Sequence, residues 1–246
     1  VPVAGQAWTR SPFALTREGD RLFGRGTTDM KGFVAALLSV ARDAGQTPLH
    51  EPWKRVLSYD AEVGCTGIAR MMDRLAPLMG VPRMAIVGEP TQMQVAVGHK
   101  GKQGFDARIS GEAGHSALAP RFVNALDVAA DFLVGLRGIG RSLAATGARD
   151  EAYDVPFTTV HAGILTGGTA LNIVPDRADM RYEFRHLAQE DPAELCARIA
   201  PAARAVTDSH GPAAGIESTR VMQYPGLDTA PQAPLTARVP APAVPC

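Results

Sequence analysis

Gly26-Thr27-Thr28-Asp29-Met30-Lys31-Gly32 sets one carboxylate on a glycine-bounded loop directly ahead of an apolar helical stripe. Val34, Leu37, Leu38 and Ala41 follow at i, i+3, i+4 and i+7, which predicts an amphipathic helix of about 14 residues with Gly45 as its stop. Upstream, residues 1–19 read as loop, and Arg21-Leu22-Phe23-Gly24 as a short strand. Downstream the same placement recurs twice. Residues 55–59 read as a buried strand running into Asp60-Ala61-Glu62-Val63-Gly64, and residues 84–87 as another running into Gly88-Glu89-Pro90-Thr91. A helix over residues 67–78 separates them. Strand–helix–strand alternation predicts an α/β layer with parallel strands. Sites in such layers lie beyond the carboxyl ends of the strands, where Glu62 and Glu89 fall.

From residue 95 the pattern changes. Residues 95–110 are strand-like, 120–136 helical, 138–155 a polar loop, 157–166 a strand, and 173–185 a second strand of a hairpin turned at Gly167-Gly168-Thr169. Residues 191–206 read as a helix opened by Asp191-Pro192 as cap and first position, and 216–222 as a last strand. The order β-α-β-β-α-β is ferredoxin-like. Three segments are therefore expected: an α/β domain over 1–95, an inserted α+β domain over 96–226, and an Ala/Pro-rich tail over 227–246 with no period and no packed element.

Lys plus Arg and Asp plus Glu balance at 25 each. With no Lys/Arg-rich run, that balance argues against a nucleic-acid partner. No stretch approaches the ~18 apolar residues of a membrane span, and none resembles a signal peptide. Cys65, Cys196 and Cys246 are odd in number and show no CxxC spacing, which points to a reducing, cytoplasmic setting rather than a disulfide framework. Cys65 has no base in reach of the sequence pattern that would make it a nucleophile.

A lone Asp at a helix start is ordinarily a cap, and a lone Glu after a strand is ordinarily solvated. Asp29, Glu62 and Glu89 at the same edge of one layer are different. Three converging carboxylates repel unless a cation neutralises them, and paired divalent ions also activate water and polarise a carbonyl.

GRGTTDMKG, SYDAEVGCTG, IVGEPT, GHKGKQGF, GEAGHSALAP and GGTALNIVP occur in that order over nearly the whole chain before the tail. Together they resemble the dinuclear-zinc aminoacylase, carboxypeptidase and deacetylase family, most closely its deacetylase branch. The resemblance implies an aminopeptidase-like catalytic α/β domain, here incomplete, with an inserted ferredoxin-like dimerisation or lid domain. It implies two zinc ions, with cobalt as a substitute, bridged by Asp29 and held further by Glu62 and Glu89. It implies that His115 reaches the partner subunit's site in a homodimer and steadies an oxyanion, and that Asn172 and Arg185 hold the carboxylate of a small N-acylated amino acid. Without the resemblance, His115, Asn172 and Arg185 read as a polar loop residue, a turn amide and a strand-edge charge. A desuccinylase or a broad aminoacylase is the alternative within the same chemistry.

Three departures from the family pattern are expected to matter. The general-base glutamate before the ligand position Glu62 is replaced by Ala61. The HxD motif that precedes a Val-Pro pair is not in the sequence, which starts Val1-Pro2, and a C-terminal His segment is not there either. The expectation is a fragment with three of five protein ligands and at most trace hydrolysis, and a non-catalytic dimerisation module is the rival of a different class. His99 is expected to be structural or dimer-facing.

Overall fold

The computed structural model describes residues 3–230, 232–233, 236 and 243–245. The chain divides into two compact units, Val1–Val95 and Ala96–Cys246.

In the first unit, β1 (Thr16–Glu18) and β2 (Arg21–Phe23) form a two-stranded antiparallel hairpin. A π-type turn, Thr27–Lys31, leads into α1 (Gly32–Ala44), whose last turn closes with the Gly45 N–H on Ala41 O. A 3-10 turn, Ala61–Val63, precedes α2 (Thr66–Met79). Both helices thus stand where the apolar period places them. The two strands expected over 55–59 and 84–87 do not form, and with them the parallel layer is missing from the described residues. None of residues 50–60 or 81–90 donates a backbone hydrogen bond to another backbone group among the described residues. Their apolar side chains face solvent, with Leu57 at 62% and Val87 at 75% exposure. A central parallel strand is stable only with neighbours on both edges and cover on both faces, and none of these residues supplies either. No described hydrophobic side chain of residues 3–94 belongs to the buried core.

The second unit is built differently. β3 (Val95–His99) and β4 (Gly101–Ser110) are split at Lys100, whose ammonium donates to the carbonyls of Val155 and Phe157 at 2.6 Å each. β5 (Gly114–His115) is followed by a 3-10 turn and α3 (Ala125–Thr146), capped by Asn124 Oδ1 accepting from Leu126 N at 2.9 Å. Then come β6 (Thr159–Gly167), β7 (Ile173–Val174), β8 (Arg177–His186), α4 (Pro192–Ala197), α5 (Ile199–His210) and β9 (Gly215–Tyr224). Asp191 caps α4 through Oδ1, which accepts from Ala193 N at 2.8 Å. The four long strands form one antiparallel sheet in the order β6-β8-β4-β9, the ferredoxin-like arrangement.

One face of that sheet makes the core. Phe105, Ala107 and Ile109 of β4 and Ala178, Met180, Tyr182 and Phe184 of β8 alternate inward and meet Val128, Phe132, Leu136 and Leu143 of α3. The opposite face carries charges paired across and along strands, including Arg181 Nε to Asp106 Oδ1 at 2.8 Å. The polar loop expected over 138–155 is corrected by α3, which runs through Gly138 and Gly140 to Thr146. Burial of Leu136 and Leu143 outweighs the roughly 1 kcal/mol per glycine that helix propensity opposes. Phe132→Ala should therefore destabilise the second unit by about 3–5 kcal/mol, read from the denaturation midpoint of the full chain at constant m-value.

The tail also departs from expectation. β10 (Leu227–Asp228) and β11 (Ala243–Pro245) flank β3 in a three-stranded sheet, with Leu227 opposite His99 and Asp228 opposite Gly98. Main-chain hydrogen bonding to β3 needs no side-chain period, so an Ala/Pro composition did not reveal it. The rest of the expectation for the tail lies largely outside the described residues. Among the described residues no helix is long and apolar enough to cross a membrane.

Candidate functional site

Asp29 lies within the turn between the β1–β2 hairpin and α1, and the Asp29–Met30 peptide is cis. Glu62 lies in the Ala61–Val63 turn. That turn is flanked by left-handed residues, Asp60 at φ 56° and Gly64 at φ 105°. Two close approaches pin the loops. A Cβ on Gly67 would overlap the backbone of Tyr59, which holds the start of α2 against the chain entering the Glu62 turn. A Cβ on Gly88 would overlap the ring of Phe33, which brings the residue before Glu89 onto the first turn of α1, four residues beyond Asp29. These two glycines are buried in a unit that buries little else.

The three carboxylates sense one another. Burial pushes the Glu89 carboxyl above its ordinary value, and the negative charges of Asp29 and Glu62 push it further. A cleft of about 200 Å³ is lined by Gly24–Asp29 and Glu62. Yet among the described residues no group of three His, Cys, Asp or Glu side chains stands close enough to hold a metal ion. The loops bring Asp29, Glu62 and Glu89 into electrostatic range and not into coordination. Zinc sites ordinarily add nitrogen or sulfur donors to any carboxylate, and an all-oxygen set outside coordination range does not fit a zinc pair. Ala61 carries no group that accepts a proton.

A second cleft, about 460 Å³, adjoins the first and shares Gly24, Thr27 and Thr28 with it. Trp8, Arg10, Arg21 and Phe23 stand in its wall. Arg10 binds Glu18 and lies 4.1 Å over the Phe23 ring. Arg25, in the wall of the smaller cleft, lies 4.9 Å over Trp8 and donates to Gln6 Oε1 at 2.6 Å. Sequence reasoning assigns these residues no role. The only signal is the density of Arg and aromatic side chains in a segment that reads as loop.

In the second unit the structure brings two expected residues together and sets the third apart. His115 pairs with Ile173 in the β5–β7 ladder, and Ser116 N donates to Asn172 O at 3.0 Å, so His115 and Asn172 are neighbours on the surface. His115 Nδ1 accepts the Ala117 N–H at 3.1 Å. In the neutral ring the proton is therefore on Nε2, which presents an N–H donor outward. Arg185 lies at the far end of β8. Gly167 pairs with Ala178 near the Asn172 loop, whereas Thr159 pairs with Arg185. That run of strand is about 23 Å at roughly 3.3 Å per residue. Within one chain Asn172 and Arg185 do not face one ligand carboxylate.

Arg185 is also occupied. Its Nε donates to Glu183 Oε1 at 2.8 Å and its Nη1 to the Tyr224 hydroxyl, while Lys102 Nζ lies 2.7 Å from Glu183 Oε2. Burial acts to raise the Glu183 carboxyl, but hydrogen bonds from Lys102 and Arg185 outweigh it and hold it below the ordinary value of 4.5. A depressed carboxylate stabilises the fold above its unfolded pKa, and that contribution fades as pH falls through the folded value. The second unit should thus lose stability below about pH 4.5 through Glu183. With the side chain partly in water, the loss is at most about 1 kcal/mol. Urea midpoints between pH 6 and pH 3 for the parent and Glu183→Gln would show a smaller drop in the variant.

Solved structures share the fold. The chain superposes on a tripeptidase from Staphylococcus aureus (TM-score 0.66, 19% identity) and an aminopeptidase from Bacillus cereus (TM-score 0.64, 20% identity), each covering 95% of this chain and 62% of that one. The fold is that of these peptidases. Residues 97–210 match the family described as the M20 peptidase dimerisation domain. That match spans less than half of the chain, and the chain carrying it is similar to acetylornithine deacetylases. It is 36% identical over 187 residues to those of Klebsiella pneumoniae and Salmonella typhimurium, covering 76% of this chain and 48% of each relative. The chain thus spans about half the length of the curated relatives it matches.

Proposed function

We propose that the chain carries part of a metal-dependent amide hydrolase of the acetylornithine deacetylase type, which releases acetate and ornithine from N-acetylornithine. The observation that carries this reading is the convergence of the Asp29, Glu62 and Glu89 loops, felt at Glu89, in a chain 36% identical to such deacetylases. Zinc or cobalt is the metal that the resemblance implies, and Asp29, Glu62 and Glu89 as they stand here do not fit it as donors. The chemistry such an ion supplies is polarisation of the amide and activation of water.

The chain's own residues contribute as follows. His115 offers Nε2–H as a donor to the oxygen on which charge develops, and the adjacent Asn172 amide orients the same end of the ligand. Arg185, about 23 Å along β8 from Ala178 by the rise per residue, serves a different centre. In a homodimer through the second unit, His115 and Asn172 would come from one subunit and Arg185 from the other. The proton acceptor for the attacking water is missing at Ala61.

The test is hydrolysis by the Ala61→Glu variant of three substrates: N-acetylornithine, N-succinyl-diaminopimelate and N-acetylmethionine. Preference for N-acetylornithine is expected, and preference for either other substrate would move the assignment to a desuccinylase or an aminoacylase.

A second reading has its own support. The second unit has a full core and the described residues of the first show none, which favours a non-catalytic dimerisation module. In that case Ala61→Glu changes nothing, and the chain still sediments as a dimer.

A further inference from the structure

We propose that Lys102 is the positioning residue that lets Arg185 take a ligand carboxylate, because it neutralises Glu183 and leaves the guanidinium's positive charge uncompensated. The inference rests on the amide-hydrolase reading for the class of ligand and adds a determinant of its selectivity. Lys102 stands on β4 directly opposite Arg185 on β8 and opposite Tyr224 on β9, so the three form one row across the sheet. Glu183 lies two residues from Arg185 on β8 and therefore on the same face. It is shared by the two cations. Its Oε2 is 2.7 Å from Lys102 Nζ, and its Oε1 accepts from Arg185 Nε at 2.8 Å.

Elsewhere on this face carboxylate and cation pair one to one, Arg181 with Asp106 and Arg177 with Asp179. Two cations on one carboxylate leave Lys102, Glu183 and Arg185 together with a surplus positive charge, which suits a single carboxylate from a ligand. Exposure decides which cation meets it. The Lys102 side chain is 15% exposed and that of Arg185 41%. Orientation decides how. Glu183 holds Nε of Arg185 and the Tyr224 hydroxyl holds Nη1, so Nη2 makes no hydrogen bond among the described residues and is left to the ligand. Without Lys102 the Glu183–Arg185 pair is neutral, and Glu183 repels the carboxylate that Arg185 attracts. A ligand without that charge gains nothing from Lys102.

Binding is measured by calorimetry on the full chain in EDTA, with N-acetyl-L-ornithine and its methyl ester as probes, so that no metal or turnover is involved. The free acid should bind at least about tenfold tighter than the ester, as expected for a hydrogen bond between charged groups. Arg185→Met should abolish that preference. Lys102→Met should lower it about threefold to tenfold, the scale of one unit charge at a half-exposed site. Glu183→Gln keeps an acceptor for Arg185 Nε and removes the negative charge. Alone it should raise the preference, and added to Lys102→Met it should bring the preference back to the parent's. A merely structural Lys102 would not be rescued in this way, and the Glu183→Gln arm leaves Lys102 in place. The inference is overturned by no binding of the free acid at millimolar concentration, by a preference that survives Arg185→Met or is untouched by Lys102→Met, by no rise in Glu183→Gln, or by a double variant no better than Lys102→Met. The two proposals fail separately. This order of preferences without hydrolysis by Ala61→Glu sinks the hydrolase reading alone. Hydrolysis by Ala61→Glu whose KM is the same with and without Lys102→Met sinks this inference alone.

Discussion

Backbone amides of β4 will exchange with solvent about four orders of magnitude more slowly, relative to random coil, than amides of residues 53–59 and 84–88. β4 is paired on both sides, with β8 and with β9, and its inward side chains belong to the core. Its amides open only with the second unit as a whole, and a domain stability of ~5 kcal/mol or more corresponds to that protection. Residues 53–59 and 84–88 donate no backbone hydrogen bonds among the described residues and carry exposed Leu57, Tyr59, Ile86 and Val87. They have nothing to open from. Mass-spectrometric hydrogen exchange on peptides from the two regions makes the comparison in one sample. Equal protection in both would mean that residues 53–59 and 84–88 are paired after all, and that the first unit has the parallel layer its sequence predicts.

Ala61→Glu will raise amide hydrolysis by about two to four orders of magnitude, the range for a positioned general base. The position is favourable for it. Residue 61 opens the turn that carries Glu62, its carbonyl accepts from the N–H groups of Gly64 and Cys65, and its side chain is exposed. A longer side chain there meets no packed neighbour, so the substitution should not disturb the fold. The check is the initial rate of acetate release at several pH values: a restored base gives a rate that falls as the new carboxylate protonates. A rate no greater than the parent's at every pH would remove the hydrolase reading for this chain and leave the dimerisation module.

The legible and illegible parts of the fold separate on one physical ground. α1, α2 and the antiparallel sheet of the second unit were readable because each writes its own burial into the chain. Period 3.6 marks the helices, and alternation along β4 and β8 marks a sheet with one covered face. Residues 55–59 and 84–87 write only that they are apolar. Whether such a run becomes a strand depends on neighbours that lie elsewhere, and there are none among the described residues. The end of α3 failed for the opposite reason, since tertiary burial of Leu143 carries a helix through glycines that local propensity rejects.

The site divides in the same way. The acid loops around Asp29, Glu62 and Glu89 are motif features, and their mutual influence follows from chain order and glycine placement. Their failure to reach coordinating distance is a matter of ångströms, which spacing does not encode. The neighbourhood of His115 and Asn172 depends on a two-residue ladder between segments nearly sixty residues apart, and no local pattern announces it. The engagement of Arg185 by Glu183 was within reach of the sequence: residues two apart on a strand share a face, and opposite charges there pair.

The placement of Arg185 at the end of β8 away from the Asn172 loop has a genetic consequence. If each catalytic centre draws its two ends from different subunits, damage to His115 and damage to Arg185 fall on opposite halves of the pair. A cell making one polypeptide defective at His115 and another defective at Arg185 would assemble mixed pairs with one centre carrying both lesions and the other carrying neither. Two alleles that are each silent alone would complement between subunits, whereas two lesions at the same end would not.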